Sequence, residues 1–315
     1  MNIVIEANQL TKQYSSQKGK HPAVERVDLS VPAGTFFGLV GPDGAGKTTM
    51  LRMLATVMEP TSGQARIKGF DVVGQAEKAR PFIGYMPQAF SLYPDLTVIE
   101  NLNFFADIHG VPKSRRKPRI EELLNFTRLS DFQKRHSEHL SGGMRKKLAL
   151  ACALIHEPQV LLLDEPTTGV DPVSRRELWQ MLSQVIMQGV TVMVSTPYMD
   201  EAERCHQVSI LTEGKILKTG APQALIDSLP FEILEVKAMP RRIARAVVGS
   251  ATGVLGWRPV GDRLRLSVVN ADSSAAELRT ALREAGAEVS ILRHAKPTME
   301  DVFIHTVEDQ RGRHD

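Results

Sequence analysis

Phe36-Phe37-Gly38-Leu39-Val40 runs without a break into Gly41-Pro42-Asp43-Gly44-Ala45-Gly46-Lys47-Thr48-Thr49. The first five residues are near-continuously apolar and read as a strand buried on both faces. Gly41 to Thr48 fit the spacing G-x-x-x-x-G-K-[ST], and a helical pattern carries on through Leu51 to Val57. Strand, glycine-rich turn and helix in that order form a cradle for phosphates. Gly41, Gly44 and Gly46 let the N–H groups around Asp43 and Ala45 turn inward, the helix aims its positive end at the anion, and Lys47 supplies a mobile cation. The Thr48 hydroxyl is a candidate ligand for Mg2+, with Thr49 beside it as a further phosphate contact.

Working outward, Val160-Leu161-Leu162-Leu163-Asp164-Glu165 reads as a second buried strand tipped by two acids, at the end where open α/β sheets bind ligands. Asp164 is placed to hold Mg2+. Glu165 points elsewhere and is a candidate base for an attacking water, although alone it also fits a strand-capping acid. Residues 191–195 read as a third buried strand. Leu140-Ser141-Gly142-Gly143-Met144-Arg145 precedes the apolar-periodic Leu148, Ala151, Cys152, Leu154 and Ile155, so Ser141, Gly142 and Gly143 head a helix, a second anion-binding geometry.

The chain has 315 residues, which at roughly 150 per domain suggests two domains. With 42% hydrophobic and 24% charged residues it can bury a sizeable core, and 23 Gly and 2 Cys exclude collagenous and disulfide-scaffold classes. Cys152 and Cys205 each lie in a stretch that reads as helical and are expected to be buried free thiols. Lys+Arg number 39 against 36 Asp+Glu; that net charge of +3 is too small and too evenly spread to argue for nucleic acid. No run approaches the ~18 to 20 apolar residues of a spanning helix, and the first residues lack the pattern of a signal peptide.

Alternating apolar strands and helices predict an α/β core through about residue 225, with an exposed strand at 63–69 and mostly helical structure over 97–153. The basic run Lys113-Ser114-Arg115-Arg116-Lys117-Pro118-Arg119 reads as a solvated loop entering a helix. A boundary is placed at 228–231, where Arg replaces Lys as the common cation. Beyond it a β-α-β-β-α-β order suggests a small ferredoxin-like domain. The expected organisation is a phosphate-binding α/β domain over 1–228 with a helical insertion at about 90–155, a small α+β domain over 229–307, and a polar tail over 308–315.

The phosphate loop, the Ser-Gly-Gly helix start and the Asp-Glu strand occur in an order that resembles the ATP-binding subunits of ABC transporters, over about residues 3 to 225. The resemblance implies a P-loop NTPase core of ABC-ATPase type with an antiparallel strand layer. In its terms Gly41 to Thr48 looks like Walker A, Val160 to Asp164 like Walker B, and Glu165 like the residue acting on water. Gln88, in Gly84-Tyr85-Met86-Pro87-Gln88, looks like the glutamine touching Mg2+ and the water. Ser141-Gly142-Gly143 looks like the signature motif, which completes the ATP site of an opposing subunit, and Thr168-Gly169-Val170-Asp171 like the D-loop. Tyr14 occupies the place of the aromatic that stacks on adenine; alone it also reads as a surface tyrosine beside the polar loop Ser15 to Lys20. Ser91 to Leu102 and the tail Pro297 to Phe303 look like those of ABC-2 type exporter ATPases.

One position departs from the family. Where a histidine is expected after Thr191-Val192-Met193-Val194-Ser195-Thr196, the chain has Pro197, which has neither an imidazole nor a backbone N–H to donate. His206 is nine residues further on, in the far part of the helix expected there. The resemblance therefore implies an ATP- and Mg2+-dependent ATPase, peripheral on the cytoplasmic face of the cell membrane, with separate integral membrane subunits. It pairs with a second ATP-binding domain, as an asymmetric hetero-pair or a homodimer, and binds no nucleic acid. Two alternatives stay open: a soluble ABC-type ATPase acting on ribosomes or DNA, and a regulatory nucleotide-binding module with little turnover. Apolar Phe90, Leu92 and Tyr93 mark residues 89–102 as the expected docking region for a membrane subunit.

Overall fold

The structure, a computed structural model, describes residues 2–14, 22–89 and 91–312. Its contacts divide the chain into Met1–Pro222 and Gln223–Asp315. The first unit holds strands β1 (Ile3–Lys12), β2 (Val24–Pro32), β3 (Phe36–Val40), β4 (Ser62–Ile67), β5 (Phe70–Asp71), β6 (Ile83–Met86), β7 (Val160–Asp164), β8 (Thr191–Thr196), β9 (Gln207–Thr212) and β10 (Lys215–Gly220). Its helices are α1 (Lys47–Leu54), α2 (Ala76–Ala79), α3 (Val98–Ile108), α4 (Lys113–Thr127), α5 (Gly142–Leu154), α6 (Pro172–Met187) and α7 (Met199–Ala202). A short helix, α8 (Pro222–Asp227), lies at the division.

Near-continuous apolar runs become the buried middle of a six-stranded sheet, ordered β10-β9-β3-β8-β7-β6 and parallel from β9 to β6. Every residue of β3, β7 and β8 is buried, as a parallel sheet covered on both faces demands. Strands that alternate instead build a second, antiparallel sheet, β2-β1-β4-β5. In β4, for example, Ala65 and Ile67 are buried while Gln64 and Arg66 face outward. Helix α1 packs on β7 and β8 on one side and β4 on the other, so Met50, Leu51, Met53 and Leu54 are all buried in one core with Ile5, Leu10, Leu39, Leu162 and Met193. Helices α3, α4 and α5 pack on one another as the inserted helical layer, and α5 also rests on β6.

The second unit, by itself, contains β11 (Glu232–Met239), α9 (Arg241–Ser250), β12 (Val254–Val260), β13 (Arg263–Val268), α10 (Ala271–Glu284), β14 (Glu288–Ala295) and α11 (Met299–Gly312). Its antiparallel sheet, β12-β13-β11-β14, has the strand order of a ferredoxin-like fold. Ala244 and Val248 of α9 and Leu278 and Leu282 of α10 share one core with Leu234, Val236, Leu264 and Leu266 of the sheet.

Several local expectations are corrected. Helix α1 stops at Leu54 rather than running to Val57, because Thr56 turns left-handed (φ 61°). Cys205 and His206 lie outside any helix: α7 is a single turn ending at Ala202. Both cysteines are nonetheless free and buried, and burial pushes the Cys205 thiol up to about 12. The basic run from Lys113 is itself the first half of α4, with Pro118 inside it and Arg116 paired to Asp107 at 2.7 Å. Helix α11 continues through residues 308–312 of the stretch read as a polar tail. The polar loop Ser15 to Lys20, and Phe90, lie outside the described residues.

Candidate functional site

Four neighbouring parallel strands end at one place, and each delivers a candidate residue just beyond its C-terminal end: Gly41 after β3, Gln88 after β6, Glu165 after β7 and Pro197 after β8. A cleft of about 230 Å³ is lined there by Ala23, Asp43, Gly44, Gly46, Lys47, Thr48, Thr49, Gln88 and Glu165. Gly46 is left-handed (φ 106°), and a Cβ on it would meet the Ala23 carbonyl oxygen at 2.2 Å, so the loop tolerates no side chain there. Since α1 starts at Lys47, its first N–H groups have no acceptor within the helix, and they face the loop that precedes them.

Lys47 is 3% exposed. Its ammonium donates to the carbonyls of Gly41 and Pro42, both at 2.9 Å, and lies 3.3 Å from Glu165 Oε1. On the other carboxylate oxygen, Glu165 accepts from Gln88 Nε2 at 2.9 Å and from Thr168 Oγ1 at 3.2 Å. Glu165 has a positive φ of 47°, held by its N–H donating to Ser195 Oγ at 3.0 Å across the β7–β8 ladder. The same Ser195 hydroxyl donates to Asp164 Oδ1 at 2.7 Å, and Thr48 Oγ1 donates to that oxygen at 3.0 Å. Asp164 Oδ2 is buried and has no hydrogen-bond partner among the described residues. A buried carboxylate oxygen left open beside a threonine hydroxyl is a fitting ligand pair for a small hard cation such as Mg2+.

A family model described as ABC transporter matches residues 24–168. The "Probable multidrug ABC transporter ATP-binding protein YbhF" of Escherichia coli K12 is 49% identical over 228 residues, 72% of this chain and 39% of its own length. The daunorubicin resistance ATP-binding protein DrrA3 of Streptomyces coeruleorubidus is 35% identical over 95% of this chain and 94% of its own. The chain belongs to the ABC transporter ATP-binding proteins. Among solved structures, a dimeric ATP-binding cassette in a post-hydrolysis state bound to ADP and Pi is 27% identical to it, with a TM-score of 0.64 over 69% of this chain and 98% of that one. The chain spans about two fifths of the length of the E. coli relative.

Within this ABC protein, Walker A, Gln88 and Glu165 share one cleft, with Asp164 hydrogen-bonded to its Thr48, whereas Ser141, Gly142 and Gly143 do not line it. Ser141 caps α5 by accepting from Met144 N–H at 3.2 Å. Gly143 backs onto α6 so closely that a Cβ would overlap Ser174 Oγ at 2.3 Å. Asp171 caps α6 and accepts from Val173 and Ser174 N–H groups; the Ser174 bond holds its carboxyl below the usual range. Tyr14 does not line the cleft either, but its hydroxyl is 3.2 Å from Thr49 Oγ1 in the first turn of α1.

His206 lies away from the phosphate loop. Its Nδ1 accepts from Phe36 N–H at 3.1 Å, at the start of β3, one strand length of roughly 16 Å from the phosphate loop. The loop after β8 is instead organised by Glu201, which sequence reasoning passed over. That carboxylate is fully buried and accepts from Thr167 Oγ1 (2.7 Å), Arg175 Nε (2.7 Å), Trp179 Nε1 (3.2 Å) and Thr196 Oγ1 (2.5 Å). Three of its four donors, Thr167, Arg175 and Trp179, are more than twenty residues away in sequence, so local spacing does not mark it. The only hint is an acid in an otherwise amphipathic turn, Met199-Asp200-Glu201-Ala202.

No helix among the described residues is long and apolar enough to cross a membrane.

Proposed function

We propose that this chain is the ATP-hydrolysing subunit of an ABC-2 type exporter, acting on separate membrane subunits from the cytoplasmic face of the cell membrane. The observation that carries the reading is the convergence of Lys47, Gln88 and Thr168 on the one carboxylate of Glu165, beside Asp164 and Thr48. Lys47 and the N–H groups of the loop bind the triphosphate. Thr48, Asp164 and Gln88 hold Mg2+, which when bound neutralises charge on the transferring phosphate. Gln88 and Thr168 orient Glu165, which takes a proton from the attacking water at a carboxylate oxygen.

Ser141, Gly142 and Gly143 lie outside the chain's own cleft, which supports their use in the site of a second ATP-binding domain. Pro197 supplies no donor to the phosphate, so the site built on Lys47 is slow. Pairing with a domain that keeps its histidine would leave one competent site, and an asymmetric hetero-pair fits best. The region 89–102 is the proposed contact with the membrane subunit. Tyr93 is 46% exposed, yet its main chain is pinned by the buried Asn101, which accepts from Tyr93 N–H at 2.9 Å and donates to Tyr93 O at 3.1 Å.

Glu165→Gln with Mg2+ and ATP tests the site. The variant keeps ATP and accumulates as a closed dimer in light scattering, while turnover falls by roughly 10² to 10⁴. Turnover equal to the wild type would reject Glu165 as the base.

A further inference from the structure

We propose that Lys146 is a positioning residue that couples α5, the helix headed by Ser141, to the main chain of both Gln88 and Glu165. The inference rests on the reading that Gln88 and Glu165 act on the water.

Lys146 is 3% exposed, on the first half of a helix whose buried positions, apart from Lys147, are otherwise apolar, among them Leu148, Leu150 and Ala151. A leucine would serve packing there at no electrostatic cost, whereas a buried ammonium must find acceptors for its donors. Its acceptors include the carbonyl oxygen of Gln88 at 3.1 Å and that of Glu165 at 3.5 Å. Both carbonyls belong to residues whose side chains already meet at 2.9 Å. Burial pulls the ammonium's pKa down, while the nearby Asp164 and Glu165 carboxylates act to hold its proton.

Helix α5 is also anchored on α6. Lys147 pairs with Glu177 of α6 at 2.5 Å, and Gly143 abuts Ser174 without room for a methyl group. Helix α5 therefore reaches the main chain of two cleft residues through a lysine. A shift of Gln88 or Glu165 is passed to the helix carrying Ser141, and a load on Ser141 is passed back to the two residues that set the water. Removal of the ammonium leaves phosphate binding by Lys47 intact and lets Gln88 and Glu165 drift.

The test is steady-state ATPase kinetics on the full chain as Lys146→Met and Lys146→Arg, with nucleotide affinity measured by titration with a fluorescent ATP analogue. Methionine keeps the length of the side chain without its charge, and Lys146→Gln replaces it should circular dichroism show that it does not fold. The expected result is a kcat roughly 10- to 100-fold lower for the uncharged variant, at unchanged KM and analogue affinity, and recovery in Lys146→Arg. Wild-type kcat in the uncharged variant would overturn the proposal. So would a kcat loss that arginine does not restore, or one matched by weaker nucleotide binding. Glu165→Gln measured alongside separates the two claims: if it turns over like wild type, the reading of the site fails, and if it is inactive while Lys146→Met is not, only the coupling fails.

Discussion

At the scale of single residues, removing the Lys47 ammonium deletes its bonds to two loop carbonyls and its contact with Glu165. Charge-assisted contacts to phosphate are lost with them, so Lys47→Ala should weaken ATP binding by roughly 10- to 100-fold or more, read by equilibrium titration. The Asp164–Thr48–Ser195 cluster was half legible in the sequence. Asp164 and Thr48 stand at strand and helix ends where chemistry is expected, whereas Ser195 looks like an ordinary residue of a buried strand until the β7–β8 register sets it opposite Asp164. Lys146 and Glu201 were not legible, because what distinguishes them is burial among partners from remote segments.

At the scale of elements, a mostly helical stretch over 97–153 could be foreseen, but the first half of α4 reads as a loop and the contacts of α3, α4 and α5 could not be foreseen. His109, at the end of α3, stacks on His156, just after α5, with ring centroids 3.8 Å apart and planes within 9°. Burial lowers both pKa values, that of His156 to about 4, with the neighbouring His109 adding to the effect. The unfolded chain takes up these protons near pH 6.5 while the folded chain does not, so stability falls as pH drops from about 6.5 towards about 4. The melting temperature of this layer should therefore fall between pH 7 and pH 5, and His156→Gln should flatten that dependence. An unchanged slope in the variant would assign the acid sensitivity to other groups.

In the second unit the joint is ionic. Asp301 of α11, in the tail motif from Pro297 to Phe303, accepts from Arg265 at 2.7 Å and Arg258 at 2.9 Å. Burial acts to raise the Asp301 pKa, but these arginine bonds win and hold the carboxyl below its usual range. Breaking a pair of this kind costs about 3 kcal/mol, so Asp301→Ala should speed hydrogen exchange in α11 while leaving α1 protected. The β-α-β-β-α-β order was visible in the sequence because turns and caps punctuate it; α11 beyond residue 307 was not, since its polar sequence looks the same in a helix as in a tail.

At the scale of the whole molecule, two sheets clamp α1 so that its N-terminus and four strand ends share one cleft, and the chain's own Ser141 stays outside it. Under the proposed function a second domain completes that cleft, and Pro197 would make the site built on Lys47 the slow member of the pair. The most direct test is the steady-state ATPase rate of the isolated wild-type protein beside Pro197→His. A slow wild type that gains roughly 10² to 10³ in rate from the histidine, taking an oxyanion-hole donor as the measure, is the predicted result. Fast, cooperative hydrolysis by the wild-type chain alone, unchanged by Pro197→His, would contradict it.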